Sequence, residues 1–270
     1  MGNTKISVIM SVYNCEKTLE QAIDSILAQT YADWEFIICN DCSTDGTQQI
    51  LDRYQERFPD RFILLHNEQN MRLAYSLNQC LNYASGEYVA RMDGDDYCAP
   101  DRFEKQIHFL MEHPEFDLVG SSMRRFNEQG LADSVRKPEH VDRYIMRNDV
   151  PFNHATIMTY RSVYEKLEGY VVAKRTNRAQ DYDLWFRFFH AGFRGSNLNE
   201  DLYFVREDLN AIKRRTFSVR WNAFKTTRIG YRLLGFPRRW LVKPFVLMIA
   251  KSLVPYSLIS AYREYQKKKG

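Results

Sequence analysis

Three carboxylates, Asp93, Asp95 and Asp96, lie in a stretch of four residues about a third of the way along the chain. They follow an apolar, β-rich run, so negative charge is concentrated where a strand ends and the backbone turns. Hard oxygen ligands suit Mg²⁺ or Mn²⁺, and an ion held by one or two carboxylates usually completes its shell with substrate phosphates. Taken alone, the cluster is equally compatible with a solvated acidic turn, since Asp and Gly are ordinary turn residues.

Strand and helix patterns alternate around this cluster. Strand-like runs cover 5–12, 34–39, 62–65 and 87–92, and helical spacing of apolar residues covers 19–27, 44–57 and 73–83. This alternation predicts an α/β fold with a largely parallel sheet, in which ligand-binding loops lie at the carboxyl ends of the strands. The loop that contains Asp41 and the acidic cluster are therefore expected at the same edge of the sheet.

The second half of the chain has weaker patterns. Pro100 predicts a helix start. The face of that helix expected to be buried carries Phe103, Ile107, Leu110 and Met111. Further strands are expected at 116–121 and 155–160, a helix at 161–167, and a strand, loop and short helix within 123–149. Another helix begins near residue 180 and carries Asp181 and Asp183 in its first turn.

The five cysteines do not suggest a disulfide framework, because they are odd in number and scattered. Cys39 and Cys42 have the spacing of a zinc or redox motif, but a second pair and nearby histidines are lacking. We interpret them as free thiols. Since the N-terminus reads as a strand and not as a signal peptide, we expect residence in the cytoplasm.

Charge is distributed unevenly along the chain. Residues 206–270 contain 16 Lys or Arg and three acids, a net charge of +13, whereas residues 1–205 carry −9. A basic segment indicates an anionic partner, either nucleic acid or a membrane surface. Lys243, Pro244 and Lys251 interrupt the apolar stretches of this segment, so each stretch is shorter than the ~20 residues of a spanning helix.

We therefore expect residues 211–270 to form a basic amphipathic helical tail that lies in the interface of an anionic membrane. Aromatic and aliphatic residues mixed with Lys and Arg are typical of such helices. The alternative is a helical hairpin that packs on the rest of the protein and presents a solvated basic face.

Six short motifs together resemble the family 2 glycosyltransferases, which are inverting enzymes with a GT-A fold that use nucleotide sugars. Each motif is weak alone, but their order and spacing match the family over about residues 5 to 210. The resemblance implies that residues 1–210 form a catalytic domain with a Rossmann-like, mostly parallel mixed sheet flanked by helices. The motifs occupy 7–14, 25–30, 40–45, 84–88, 93–96 and 180–185.

Position by position, the resemblance implies that Ser11, Tyr13 and Asp41 line the nucleotide pocket. Asp41 is expected near the uracil, and Glu16 is expected to assist there. Arg72 stands where the family commonly has a glycine. Its guanidinium could pair with a donor phosphate or lie on the surface.

The resemblance also implies that Asp93 and Asp95 are the DXD pair of the family. Asp95 is expected to hold Mn²⁺ or Mg²⁺ on the donor diphosphate, and Asp96 is the alternative ligand. Such an ion would stabilise the negative charge that develops on the leaving nucleoside diphosphate.

On the acceptor side, Asp181 matches the catalytic base, and Asp183 is the alternative. Inverting transfer needs a carboxylate beside the acceptor hydroxyl, and a helix start favours the anionic form. His154 falls where the family often has a residue facing the acceptor or the diphosphate. A structural, hydrogen-bonded histidine is an equally good interpretation.

The predicted function is transfer of a sugar from a nucleotide donor, a UDP-sugar, to a lipid-linked or surface glycan in capsule or O-antigen assembly. The predicted location is peripheral, on the inner face of the cell membrane. A nucleic-acid-binding protein that uses the basic tail is one alternative, but it gives the acidic residues 1–205 no role in binding. A nucleotidyltransferase would need a Gly-rich phosphate loop after the first strand. A catalytically inactive sugar-nucleotide-binding scaffold would not need both metal carboxylates and a base.

Overall fold

The computed structural model describes residues 5–207 and 216–253. Within these ranges the strands are β1 Ile6–Val12, β2 Trp34–Asn40, β3 Phe62–His66, β4 Tyr88–Asp93, β5 Tyr97–Cys98, β6 Leu118–Asn127, β7 Gly130–Val135, β8 Met158–Tyr160 and β9 Gly195–Arg206. The helices are α1 Leu19–Leu27, α2 Thr47–Arg57, α3 Leu73–Tyr83, α4 Arg102–Glu112, α5 Arg161–Lys166, α6 Gln180–His190, α7 Phe217–Leu233 and α8 Val242–Leu253. Short 3₁₀ turns lie at Arg143–Arg147, His154–Thr156 and Arg238–Leu241.

One mixed sheet runs through the molecule in the order β3-β2-β1-β4-β8-β6-β9-β5, with β7 paired to β6. The first four strands are parallel, as the alternating pattern predicted. β8 joins β4 and β6 through antiparallel pairs, and β6 and β9 are again parallel. The predicted α/β fold with a mostly parallel mixed sheet flanked by helices is therefore confirmed.

Helices cover both faces of the sheet. Val8 and Met10 of β1 pack in a core with residues of α1, α2 and α4. Ile9 and Ile37 point to the other face and pack with residues of α3, α5 and α6. Because successive strand residues point to opposite faces, strands covered on both sides are apolar throughout, which made β1 and β2 easy to predict.

Several predicted boundaries differ from the structure. The helix expected from residue 44 begins at Thr47, because the Asp45 carboxylate accepts from the Thr47 backbone N–H at 3.1 Å and from its hydroxyl. The strand expected at 155–160 is a 3₁₀ turn followed by the short β8. Met111 was expected on the buried face of α4 but is 45% exposed.

Two strands were missed. β9 is 12 residues long, but polar residues interrupt its apolar pattern, and its register with β6 shifts near Ser122. β5 has only two residues and pairs with β9. These strands form only through pairing with distant parts of the chain, which local patterns do not reveal.

The described part of the basic tail packs on the rest of the molecule. Tyr231 of α7 is buried, its ring lies 6.0 Å from that of Phe186 in α6, and its hydroxyl donates to the Met146 carbonyl at 3.5 Å. A β-carbon at Gly230 would lie 2.1 Å from the Phe186 ring, so glycine permits this contact. The predicted tail residues 211–215 and 254–270 lie outside the described residues.

Helix α8 exposes apolar side chains, including Val242, Phe245 and Val246. None of the helices in 5–207 and 216–253 combines the length and apolar character needed to cross a bilayer. The packed helices thus present both basic residues, such as Arg228 and Arg232, and apolar ones at the surface.

The contact between α6 and α7 can be tested with Gly230→Leu. Overpacking against the Phe186 ring should cost more than removal of a helical glycine gains, lowering the free energy of unfolding by about 2 kcal/mol. Urea denaturation measures this change. Arg228→Leu, at an exposed position of the same helix, is the matched control and should leave stability within about 0.5 kcal/mol. Equal effects of the two variants would contradict the packing.

Candidate functional site

The carboxyl ends of β1, β2 and β4 meet at one edge of the sheet. In the parallel register Ser11 lies between Cys39 of β2 and Asp93 of β4. The chain continues from these ends into Tyr13, the loop of Asp41 and the acidic cluster. The expected convergence of the two polar loops is therefore present.

Asp41 is a buried carboxylate that organises a neighbouring loop. One oxygen accepts from the Asn67 side-chain amide at 2.7 Å and from the Met71 backbone N–H at 2.8 Å. The other accepts from the backbone N–H of Arg72 at 2.8 Å. Arg72 has φ of +73°, an unfavourable conformation for a residue with a side chain, so these bonds hold the loop in place.

A cavity of about 410 Å³ opens beside this loop. Tyr13, Asp41 and Arg72 all line it, which brings together three of the residues predicted for the donor. Its lining residues are Tyr13, Asp41, Asn70, Arg72, Leu73, Ala74, Thr176, Asn177, Arg178, Gln180 and Val219. We refer to it as the first cavity.

Glu16 and Ser11 are placed differently from the other predicted donor residues. The Glu16 carboxylate accepts from the backbone N–H of Gly46 at 3.1 Å, immediately before α2. Its backbone N–H donates to Asp45 at 3.1 Å. These bonds join the loop after β1 to the start of α2, so Glu16 has a structural task there. Ser11 is a half-buried member of β1.

The three carboxylates after β4 have different surroundings. Asp93 forms a bidentate ion pair with the buried Arg91, at 2.9 and 2.5 Å. Asp96 is buried, and its carboxylate accepts from the backbone N–H of Arg206 at 2.8 Å. Burial and the charges of Asp93 and Asp95 raise the pKa of Asp96 well above its usual range.

Asp95 is the exposed member of the cluster. Partial desolvation of its carboxyl and the charge of Asp93 raise its pKa. Its backbone carbonyl accepts from the Arg206 guanidinium at 3.1 Å, which fixes the turn while the carboxylate faces outward. Among the described residues, no group of three or more His, Cys, Asp or Glu side chains is arranged to hold a metal ion. The exposed Asp95 carboxylate is a hard oxygen donor of the kind that holds an ion whose remaining ligands come from a substrate.

His154 belongs to a buried chain of hydrogen bonds. Its Nε2 lies 2.8 Å from the hydroxyl of Tyr170, which lies 2.8 Å from that of Tyr164. Burial and the neighbouring Arg91 cation lower the pKa of His154 well below its usual range, so the imidazole is neutral. Burial, Tyr164 and the charge of Asp181 raise the pKa of Tyr170. The hydrogen-bonded side chains of His154, Tyr170 and Tyr164 are thus close enough to be affected by both Arg91, the partner of Asp93, and Asp181 at the start of α6.

The two carboxylates of α6 have different roles. Asp181 is half-buried in the first turn, where its carboxylate accepts from the Tyr182 backbone N–H at 2.9 Å. Asp183 is buried and pairs with Arg175 and, at 2.8 Å, with Arg187. Arg187 also donates to the carbonyls of residues 167 and 169. Asp183 therefore organises the segment before α6, and its oxygens are occupied by arginines.

A second cavity, of about 640 Å³, lies between the start of α6, the segment 146–150 and helices α7 and α8. Asp181 lines it, and Arg178 and Val219 line both cavities. The two cavities therefore adjoin near the start of α6.

Several residues of the site were not predicted from the sequence. Arg91 lies two residues before Asp93 on the same face of a strand, and an arginine inside an apolar run could have indicated a buried ion pair. Arg206 ends a strand that was itself missed. Arg178 and Val219 line both cavities only because of tertiary packing, and no local pattern identifies them.

Known proteins match most of this chain in sequence. The model of the family described as Glycosyl transferase family 2 matches residues 7–167. The chain is 50% identical over 263 residues to a Bacillus subtilis (strain 168) protein named as a glycosyltransferase, EpsE, covering 96% of this chain and 93% of EpsE. It is 29% identical over 279 residues to the amylovoran biosynthesis glycosyltransferase AmsE of Erwinia amylovora, covering 97% of this chain and 99% of AmsE.

Solved structures share the fold. Residues 1–349 of S. aureus TarS in complex with UDP-GlcNAc superpose with a TM-score of 0.71 at 21% identity, covering 92% of this chain and 72% of that one. The mannosyltransferase PcManGT from Pyrobaculum calidifontis in complex with GDP-Man and Mn²⁺ has a TM-score of 0.62 at 18% identity, with coverage of 98% and 80%. The sheet and helices described above are thus those of GT-A type glycosyltransferases.

The different roles of the α6 carboxylates can be tested by stability. Asp183→Asn should lower the free energy of unfolding by about 3 kcal/mol, because it leaves two largely buried arginines without a charged partner. The isosteric Asp181→Asn, two residues earlier in the same turn, should cost less than about 1 kcal/mol. Chemical denaturation compares the two. A larger loss for Asp181→Asn would contradict the assignment.

Proposed function

The chain belongs to glycosyl transferase family 2, and we propose from this premise that it moves a sugar from a UDP-sugar, with inversion, to a hydroxyl of a glycan acceptor. One observation carries the proposal: the first cavity, organised by Asp41, adjoins a second cavity whose wall contains Asp181. A donor and an acceptor bound in these two cavities would meet near the start of α6.

The nucleotide is proposed to occupy the first cavity. Tyr13, half exposed at its mouth, offers a ring face to the base, and the Asp41 carboxylate lies in its wall. One Asp41 oxygen accepts two hydrogen bonds and the other accepts one, so the second oxygen has a further lone pair for a donor such as the uracil imide. Arg72 is the cation of this wall that we assign to a donor phosphate.

Asp95 is the residue that would hold a Mn²⁺ or Mg²⁺ ion, because its carboxylate is exposed while that of Asp96 is bonded to β9. When bound, such an ion supplies Lewis-acid stabilisation of the negative charge on the departing diphosphate. The task of Asp93 is to keep Arg91 paired at the end of β4. PcManGT, which binds GDP-Man and Mn²⁺, supports a divalent ion in this fold.

We assign the general base to Asp181. Its carboxylate would take the proton from the acceptor hydroxyl as that oxygen attacks the anomeric carbon, and the donor C–O bond to the diphosphate would break. The start of α6 favours the anionic form that a base requires. Attack from the face opposite the leaving group inverts the anomeric centre in a single displacement, so no covalent nucleophile is needed.

The acceptor is proposed to be a lipid-linked or surface glycan. AmsE is named for amylovoran biosynthesis, which supports a role in bacterial polysaccharide assembly. Exposed apolar residues of α8, together with the basic charge of 206–270, support peripheral binding of the 211–270 tail to the inner face of the cell membrane. In this proposal residues 1–210 form the catalytic domain.

Donor binding can be tested by calorimetric titration of UDP with and without Mn²⁺. Asp95→Asn should abolish the part of the affinity that depends on Mn²⁺, leaving the fold intact because the side chain is exposed. Asp96→Asn is the matched variant: its amide oxygen can still accept from the Arg206 backbone N–H, so the Mn²⁺-dependent part of the affinity should stay within a few-fold of wild type. Mn²⁺-dependent binding that survives in Asp95→Asn would contradict the metal assignment. Absence of UDP binding by the wild-type protein would contradict the donor.

The base is tested by turnover. Asp181→Asn keeps the shape of the side chain but cannot accept the proton, so kcat should fall at least about 100-fold. UDP affinity should stay within a few-fold, because Asp181 does not line the first cavity. Sugar transfer measured under saturating donor distinguishes these effects. Near-normal turnover would remove Asp181 as the base. It would also exclude the alternative of an inactive scaffold, because such a protein transfers no sugar.

A further inference from the structure

The lining of the second cavity combines apolar side chains with cationic ones, and we refer to the latter as its cationic rim. Arg147, Arg178, Arg220, Lys243 and Lys251 all line it, whereas Asp181 is its one acidic lining residue. The apolar residues of α7 and α8 that line it are Val219, Ala223, Phe224, Pro244, Leu247 and Met248. Five cations beside one carboxylate indicate an anionic ligand, and the apolar walls indicate that part of this ligand is a hydrocarbon.

We propose that the second cavity binds the lipid phosphate portion of the acceptor. The cationic rim would hold a phosphate or diphosphate, and α7 and α8 would hold the first part of the hydrocarbon chain. Asp181 lies in the same cavity, so the sugar attached to that phosphate would be within reach of the base. This inference rests on the proposed function and adds the chemical class of acceptor and the residues that recognise it.

The apolar walls of the cavity favour an amphiphile over two other ligands, a water-soluble glycan and a nucleic acid. A free glycan needs many polar partners for its hydroxyls, and the α7 and α8 walls supply mainly aliphatic surface. A nucleic acid would use an extended basic surface and has no use for an apolar recess.

Helix α8 also supplies a route for the hydrocarbon. Leu247 lines the cavity and is 43% exposed, and the adjacent Val246 is 55% exposed. The same helix therefore contributes to the cavity wall and carries apolar side chains to the surface. A chain bound against Leu247 could continue onto this surface and from there into a bilayer.

The test uses farnesyl diphosphate, a soluble compound with a diphosphate and a short isoprenoid chain. It is titrated into the full chain with saturating UDP and Mn²⁺, so that the donor site is already occupied. We expect farnesyl diphosphate to bind at least about tenfold more tightly than inorganic diphosphate and than farnesol, because each of these lacks one of the two recognised parts.

Two variants locate the binding. Arg220→Glu combined with Lys251→Glu removes rim charge, and Ala223→Trp fills the apolar part; each should weaken farnesyl diphosphate binding about tenfold or more. The matched control is Arg228→Glu combined with Arg232→Glu, which makes the same charge change at exposed positions of α7. It should alter the affinity by less than about twofold, because screening weakens distant charges.

UDP titration of every variant separates the possible failures. Retained UDP affinity shows that a variant is folded and that its loss of farnesyl diphosphate binding is local. If the wild type binds UDP but not farnesyl diphosphate, or if the rim and control variants lose affinity equally, the lipid phosphate site is wrong while the proposed function stands. If the wild type binds no UDP, the proposed function fails and this inference fails with it.

Discussion

The ion pair between Arg91 and Asp93 and the bond from β9 to Asp96 make the acidic cluster possible. Like charges this close in a partly desolvated loop raise one another's pKa and destabilise the fold unless they are compensated. Here Arg91 compensates Asp93 from inside the sheet, and the backbone N–H of Arg206 satisfies Asp96. The remaining carboxylate, Asp95, is left exposed at the carboxyl edge of β4. The donor site that we propose lies at this edge, where β1 and β2 also end.

The two cavities are built by different parts of the chain. The loops after β1, β2 and β3 and the start of α3 supply six of the eleven residues that line the first cavity, and these six lie within residues 7–167, where the family model matches. The other five lie at 176–178, 180 and 219. Helices α6, α7 and α8 lie beyond the matched range and form most of the second cavity. The region that the family model matches thus contributes to the first cavity, which we propose for the donor, whereas the C-terminal helices form most of the second cavity, which we propose for the acceptor. In our proposal the basic tail has two tasks, to bind membrane and to recognise a lipid phosphate.

Part of the site could be predicted from the sequence because it depends on local chemistry. Tyr13 and Asp41 follow strands whose apolar patterns are strong, and the structure places both in one cavity with Arg72. Glu16 and Asp183 carry the right chemistry at plausible positions, but their carboxylates are engaged by Gly46 and by two arginines. A carboxylate in a motif can be a ligand or a structural anchor, and only its partners in space distinguish the two.

The sequence by itself determined the α/β architecture, the edge at which the polar loops meet and the candidates for donor and base. Strand and helix periods arise from local burial, and parallel strands bring their carboxyl ends to one edge. Tertiary structure alone decided which of Asp95 and Asp96 faces outward, how β9 pairs, and that α7 packs on α6 through Gly230 to close the second cavity. These features depend on contacts between residues far apart in the chain. Such contacts do not produce a periodic pattern of apolar residues in the sequence.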